Sequence, residues 1–225
     1  MRFSFFPFLK KDYPDFWLAY CAHFKPKKKK SIEKARFVVL DTETTGFNFE
    51  EDRILSIGAI AIIGNKILIK DSLEIYLEQG VFKAETVKIH GILKSEKVTK
   101  LDEKQALIQF LAYIKDSALV AHHAGFDIGI INKALKRHQL GRLKNEVLDT
   151  GILFKRSKHI VNIIDPNKRY SLDEIALELK ITPKDRHTAA GDAFITALAF
   201  LKILPKLNKD GKMRYKDLFL NPLNY

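Results

Sequence analysis

With 225 residues, of which 46% are hydrophobic, the chain holds enough apolar material for one medium-sized core plus terminal extensions, and too little for two full domains. Its one cysteine, Cys21, excludes an internal disulfide framework and any multi-cysteine zinc site, as expected of a protein kept in a reducing cytoplasm. The net charge of +12 invites a polyanionic partner, but +7 of it lies in residues 1–36 and only +5 in the remainder.

The opening MRFSFFPFLKKDYPDFWLAY is aromatic. Pro7, Lys10, Lys11, Asp12 and Pro14 interrupt it before a signal-peptide core develops, and no stretch of the chain reaches the ~20 apolar residues of a membrane span. Residues 13–24 predict a short helix with Pro14 near its first turn. Phe16, Trp17, Tyr20 and Phe24 recur on one face, expected to pack on the body of the protein. Lys25–Lys30 reads as a solvated linker, so residues 1–35 form a basic N-terminal extension.

The chain is organised around Phe37-Val38-Val39-Leu40, an apolar run that suits a strand buried on both faces and is expected to stop at Asp41. Side chains alternate on a strand, so Asp41 and Glu43 converge on one volume while Thr42 faces elsewhere. Two close carboxylates need a proton or a cation between them, and an all-oxygen site favours Mg²⁺ or Mn²⁺. The competing reading is an acidic strand-to-loop turn closed by Gly46.

Beyond this strand, residues 54–63 and 66–77 flank Gly64-Asn65 and predict a hairpin, hence a three-stranded antiparallel start. Residues 84–92 read as a short helical connection and 102–114 as an amphipathic helix capped by Asp102. A strand is expected at 118–121, a helix at 127–140, a strand from Val147, and a helix over 172–179 behind Ser171. A long apolar helix over 189–204 should end before Pro205. A meander followed by alternating strands and helices gives a mixed α/β sheet, with ligands at the carboxyl ends of central strands.

Two further acids occupy comparable places. Asp127 follows the apolar strand of LVAHHAGFD (119–127), where the helix dipole alone would favour an acid. Asp192, in RHTAAGDAF (186–194), lies among small and apolar neighbours, where an ionised carboxylate should be paired or bound to metal; His187 stands five residues before it.

Three motifs, LDTETTG (40–46), VAHHAGFD (120–127) and RHTAAGDA (186–193), stand in the order found in the histidine branch of the DEDD superfamily of 3′-to-5′ exonucleases. The chain resembles that family over residues 36–204, and within it the proofreading (epsilon) subunits of bacterial DNA polymerase III. Ile89-His90-Gly91-Ile92 and Leu148-Asp149-Thr150 fall where the family has similar segments. The resemblance implies a ribonuclease-H-like α/β fold, a mixed five-stranded sheet flanked by helices, in an exonuclease domain at 36–205 with a C-terminal tail at 206–225. It implies that Asp41, Glu43, Asp127 and Asp192 bind two divalent cations, Mg²⁺ or Mn²⁺, and that His187 is the general base. Thr44 and Thr45 would then lie beside the terminal nucleotide. His90, Ile92 and Phe126 are candidates for lining its pocket, the competing reading being that they are core residues. His123 departs from the family, which commonly has asparagine there.

Four acids and a histidine meet the needs of two-metal phosphodiester hydrolysis. The expected substrate is a single-stranded or frayed DNA 3′ end, with a DNA polymerase or sliding clamp as possible partner and no membrane. An RNA-trimming exonuclease and a non-catalytic nucleic-acid-binding module are the alternatives. An aspartyl-phosphate phosphatase is disfavoured because Glu43 stands where that chemistry wants aspartate. Asp217-Leu218-Phe219 resembles the end of a clamp-binding peptide; the competing reading is a tail that tucks Leu218 and Phe219 onto the domain.

Overall fold

A computed structural model describes residues 12–24, 31–79, 99–158 and 168–220. The lysine-rich linker and the helix expected at 84–92 lie outside the described residues.

The strands are β1 (Arg36–Thr44), β2 (Ile54–Ile63), β3 (Lys66–Leu77), β4 (Lys100–Leu101), β5 (Ala118–Ala121) and β6 (Val147–Asp149). The helices are α1 (Asp15–Ala22), α2 (Glu103–Ile114), α3 (Gly125–Arg137), α4 (Thr150–Lys158), α5 (Leu172–Glu178) and α6 (Ala189–Leu207), followed by a 3₁₀ turn at Tyr215–Phe219. Among the described residues the strands form one sheet in the order β4-β3-β2-β1-β5-β6. β1, β2 and β3 form the expected antiparallel meander around the Gly64-Asn65 turn, while β5 runs parallel to β1 and β6 parallel to β5. The expected five strands become six because Lys100 and Leu101 pair in parallel with Tyr76 and Leu77 at the sheet edge. Two residues carry too little periodicity to be seen in a sequence.

Burial on both faces makes β1 the middle layer. Phe37 and Val39 point into a core with α4, α5, α6 and the 3₁₀ turn. Val38 and Leu40 point into a second core with α1, α2 and α3. The strand does not stop at Asp41 but pairs with β2 as far as Thr44, with a register shift between Glu43 and Thr44. Ladder bonds to β2 thus carry the backbone past the end of the apolar run.

Asp102 and Ser171 cap α2 and α5, each accepting from a backbone N–H three residues on. α3 begins at Gly125, two residues before the expected start, because its cap comes from another element: Asp149 Oδ2 accepts from Ala124 N at 3.0 Å. α6 passes Pro205, its expected end, and reaches Leu207. In the last turn a proline forfeits one helical bond, and Leu207 continues the packing onto the core.

α1 packs on the body, with Trp17 and Tyr20 buried in the second core. Tyr20 donates its hydroxyl to Asn145 Oδ1 at 2.6 Å and accepts from Lys144 N at 2.8 Å. The 3₁₀ turn likewise buries Tyr215 and Leu218 against the opposite face. Among the described residues no helix is long and apolar enough to cross a membrane.

Candidate active site

Alternation along β1 distributes the acids. Asp41 and Glu43 share the face of Phe37 and Val39, over which α6 lies, and so meet Asp192; Thr42 shares the face of Leu40 and meets Asp127 of α3. Ligand oxygens of Asp41, Glu43 and Asp192 all lie within 4.8 Å of one another. Asp127 joins them from the other face, its Oδ1 accepting from Thr42 N at 2.9 Å and from Thr42 Oγ1 at 2.7 Å. Glu43, Asp127 and Asp192 are buried.

The close approach of α6 to β1 depends on Gly58. It sits opposite Asp41 in the β1–β2 ladder, and a Cβ there would overlap the backbone of Ala189 and Ala190. The first turn of α6 therefore rests on bare sheet backbone, which brings Asp192 down to Asp41. Thr188 caps this turn, its Oγ1 accepting from Gly191 N at 3.1 Å. The sequence signal for Gly58 was a glycine inside an apolar strand, a mark of close backbone approach.

Clustered carboxylates out of water disfavour their own ionisation. Burial drives the Asp41 carboxyl well above the usual range, and Asp127, Asp192 and Glu43 push it further in that order. Burial also pushes Asp127 up to about 7, against the downward pull of its two Thr42 bonds. A proton or a cation must neutralise this volume. The donors are all carboxylate oxygens, three of them within 4.8 Å, which fits a hard divalent ion. Within the cluster, Arg186 supplies a positive charge by pairing with Asp192.

His187 lies in the loop that precedes α6, exposed, with φ 62. His123 is also exposed, with φ 55. The left-handed region is one that asparagine and histidine both enter more readily than most residues. His122 beside it is partly buried, its ring 4.1 Å from that of His123. Its Nδ1 faces Thr150 Oγ1 at 3.2 Å, while Nε2 is buried. Burial holds its pKa down to about 4, with His123 and Arg186 acting in the same direction.

Thr44 and Thr45 are buried. Thr44 donates to Gly46 O at 2.7 Å and Thr45 to Asp52 Oδ1 at 2.8 Å, so both hydroxyls are engaged in shaping the loop between β1 and β2. That loop carries two aromatic residues that the sequence reading missed. Phe47 is 85% exposed, 5.7 Å from the Phe126 ring, and Phe49 lies 5.5 Å from Phe126 on its partly buried side. Their signal was two phenylalanines in a turn directly after the acidic motif; Phe49 packs on the second core, which leaves Phe47 as the ring that no core explains. His90 and Ile92 lie outside the described residues.

This site on this sheet defines the protein's class: the RNase_T exonuclease family matches residues 38–200, and the chain belongs to it. Among its relatives, DNA polymerase III subunit epsilon of Aquifex aeolicus is 31% identical over 182 residues, which is 80% of this chain and 86% of that protein. The PolC-type DNA polymerase III of Caldanaerobacter subterraneus subsp. tengcongensis is 34% identical over 179 residues. The chain covers 12% of that relative, and 13% of the PolC-type polymerase of Thermotoga maritima. Two solved structures share the fold. Cell-death related nuclease 4 has a TM-score of 0.66 at 14% identity, covering 76% of this chain and 64% of that one. E. coli exonuclease I, in complex with a dT13 oligonucleotide, has a TM-score of 0.64 at 16% identity, covering 79% and 42%.

Proposed function

We propose that the protein is a 3′-to-5′ exonuclease that removes nucleotides from single-stranded or frayed DNA 3′ ends, using Mg²⁺ or Mn²⁺. The observation that carries this reading is the convergence of Asp41, Glu43 and Asp192 within 4.8 Å, with Asp127 held against the same strand by Thr42. Membership of the exonuclease family and the likeness to epsilon subunits of DNA polymerase III support exonuclease action and a preference for DNA, and the likeness to 3′-to-5′ exonucleases in the three motifs supports the polarity.

The four carboxylates would hold a pair of divalent ions, which when bound supply Lewis-acid activation of water and stabilisation of the leaving oxygen. His187 takes the proton from the attacking water as its oxygen bonds to phosphorus. The bond from phosphorus to the 3′ oxygen of the preceding nucleotide then breaks; that oxygen takes a proton from solvent to become the new 3′ hydroxyl, and a 5′-monophosphate is released. The exposure of His187 suits that exchange, since its proton must pass on to solvent. Phe47 and Phe126 offer faces on which terminal bases stack without regard to sequence.

A DNA polymerase is the partner favoured by the names of the relatives. The clamp-like stretch 215–219 has Tyr215 and Leu218 committed to the core, which supports a structural role for it.

The test is to incubate the protein with Mg²⁺ and end-labelled single-stranded DNA, mispaired duplex DNA and short RNA, and to compare initial rates. A 5′-labelled strand should give a descending ladder, and a 3′-labelled strand should release labelled mononucleotide first. Faster trimming of RNA would reassign the substrate, and no cleavage of any of the three would leave a binding module.

A further inference from the structure

The loop between α5 and α6 is held in an unusual way. Asp185 and His187 both have left-handed backbones, at φ 54 and 62, conformations that cost non-glycine residues energy and persist only where the surroundings impose them. Arg186 lies between them. Its Nε donates to Asp173 Oδ1 at 2.7 Å and its Nη2 to Asp173 Oδ2 at 3.0 Å, a two-pronged pairing with the first turn of α5. Its Nη1 donates to Asp192 Oδ1. The other side of the loop is pinned to α6: Thr188 Oγ1 donates to Asp185 O at 2.7 Å, and that carbonyl fills the space a Cβ on Gly191 would occupy.

Stability alone gives little reason for such an arrangement. The Asp173 side chain is 63% exposed, and ion pairs of that kind contribute about 0–1 kcal/mol. What a guanidinium held by two parallel bonds supplies is direction, because its planar fork fixes where the remaining N–H points. Here that N–H points at Asp192.

We propose that Asp173 and Arg186 form a clasp that positions the carboxylate of Asp192 for the metal and holds the strained loop that presents His187. Both act through Asp192 and the loop. The inference rests on the metal site proposed above. It has a sharp rival, since Arg186 is also a cation beside a carboxylate ligand and could compete with the metal. The two accounts differ in sign when the charge is removed.

The experiment is a calorimetric titration of the full chain with Mn²⁺, together with single-turnover cleavage of a short single strand, for the wild type, Asp173→Asn, Arg186→Gln, Arg186→Lys and the double variant Asp173→Asn/Arg186→Gln. Asp173 is exposed, so its variant should keep the wild-type melting temperature. A clasp predicts that Asp173→Asn and Arg186→Gln each weaken Mn²⁺ binding about 10- to 100-fold, as loss of an outer partner does at other metal sites. The double variant should be no worse than Arg186→Gln, because the two act as one unit. Arg186→Lys, which keeps the charge and loses the fork, should not restore binding. Tighter Mn²⁺ binding by Arg186→Gln would make Arg186 a competitor and overturn the clasp, as would wild-type affinity in Asp173→Asn. A wild type that takes up no Mn²⁺ would instead overturn the metal site itself.

Discussion

Thr42 gives both its backbone N–H and its hydroxyl to one oxygen of Asp127, at 2.9 and 2.7 Å, and so ties the fourth acid of the site to the strand that carries the first two. Both bonds favour the ionised carboxylate, yet burial still leaves Asp127 at about 7. Thr42→Val removes the hydroxyl bond and keeps the shape. The Asp127 carboxyl should rise further, and the pH at which Mn²⁺ binding is half-developed should move to the alkaline side. Titrations from pH 6 to 8.5 would show it; an unmoved midpoint would mean that Asp127 does not govern binding.

The raised carboxyls of Asp41 and Asp127 set the pH dependence of the metal-free protein. Their folded pKa values exceed the unfolded value of about 3.9, so the stability they contribute is complete below about pH 4 and is lost as pH rises, for Asp127 through about 7. The metal-free melting temperature should decline over that window. Saturating Mn²⁺, which takes the deprotonated form, should raise it by an increment that grows with pH. Asp41→Asn should abolish the increment yet make the metal-free protein more stable at pH 8 than the wild type, because it removes one of the repelling charges. Scanning calorimetry with and without Mn²⁺ measures both effects.

His187→Ala separates proton transfer from metal binding. With the carboxylates intact, Mn²⁺ affinity should stay at the wild-type value while turnover falls by about 10² to 10⁴, the usual contribution of a general base. The pH dependence of the wild-type rate should differ from that of the variant, which lacks the base. Wild-type turnover by the variant with chemistry rate-limiting would remove His187 from the mechanism. His122 is a poor replacement as the titrating group, since burial holds it near 4.

Gly58→Ala tests how the site is assembled. The added methyl overlaps the backbone at Ala189, which is not a flexible side-chain end that can move aside. The first turn of α6 must lift from the sheet, at a cost of roughly 1–3 kcal/mol for overpacking. Asp192 moves with it. Mn²⁺ affinity should fall by at least tenfold although no ligand has changed, and retained affinity would show that α6 is not seated by this contact.

Trp17→Ala should cost about 3–5 kcal/mol, since the ring is 3% exposed and lies in the second core. Deleting residues 1–30 should likewise lower the melting temperature, with loss of the Tyr20 bonds to Asn145 and Lys144. A thermal shift assay decides the matter. An unchanged melting temperature would mean that α1 contributes nothing to the domain.

Much of this protein was legible in its sequence because it depends on local periodicity. Four apolar residues in a row required a strand covered on both sides, the Gly64-Asn65 turn specified the hairpin, and Asp102 and Ser171 announced their helices. The alternation of Asp41 and Glu43 already aimed two carboxylates at one volume, and the order of the three motifs pointed to Asp127 and Asp192. Other features were decided only by the tertiary structure, because they belong to pairs of segments distant in the chain. Asp149, not a local residue, caps α3 and moves its start to Gly125. Ladder bonds to β2 extend β1 past its apolar run to Thr44. The empty side of Gly58 seats α6, so that an acid 151 positions after Asp41 comes to lie beside it. Arg186 finds Asp173 and Asp192 in the same way. A sequence records which side chains a strand or helix presents to one face; which distant backbone is small enough to come near that face is settled only when the layers pack.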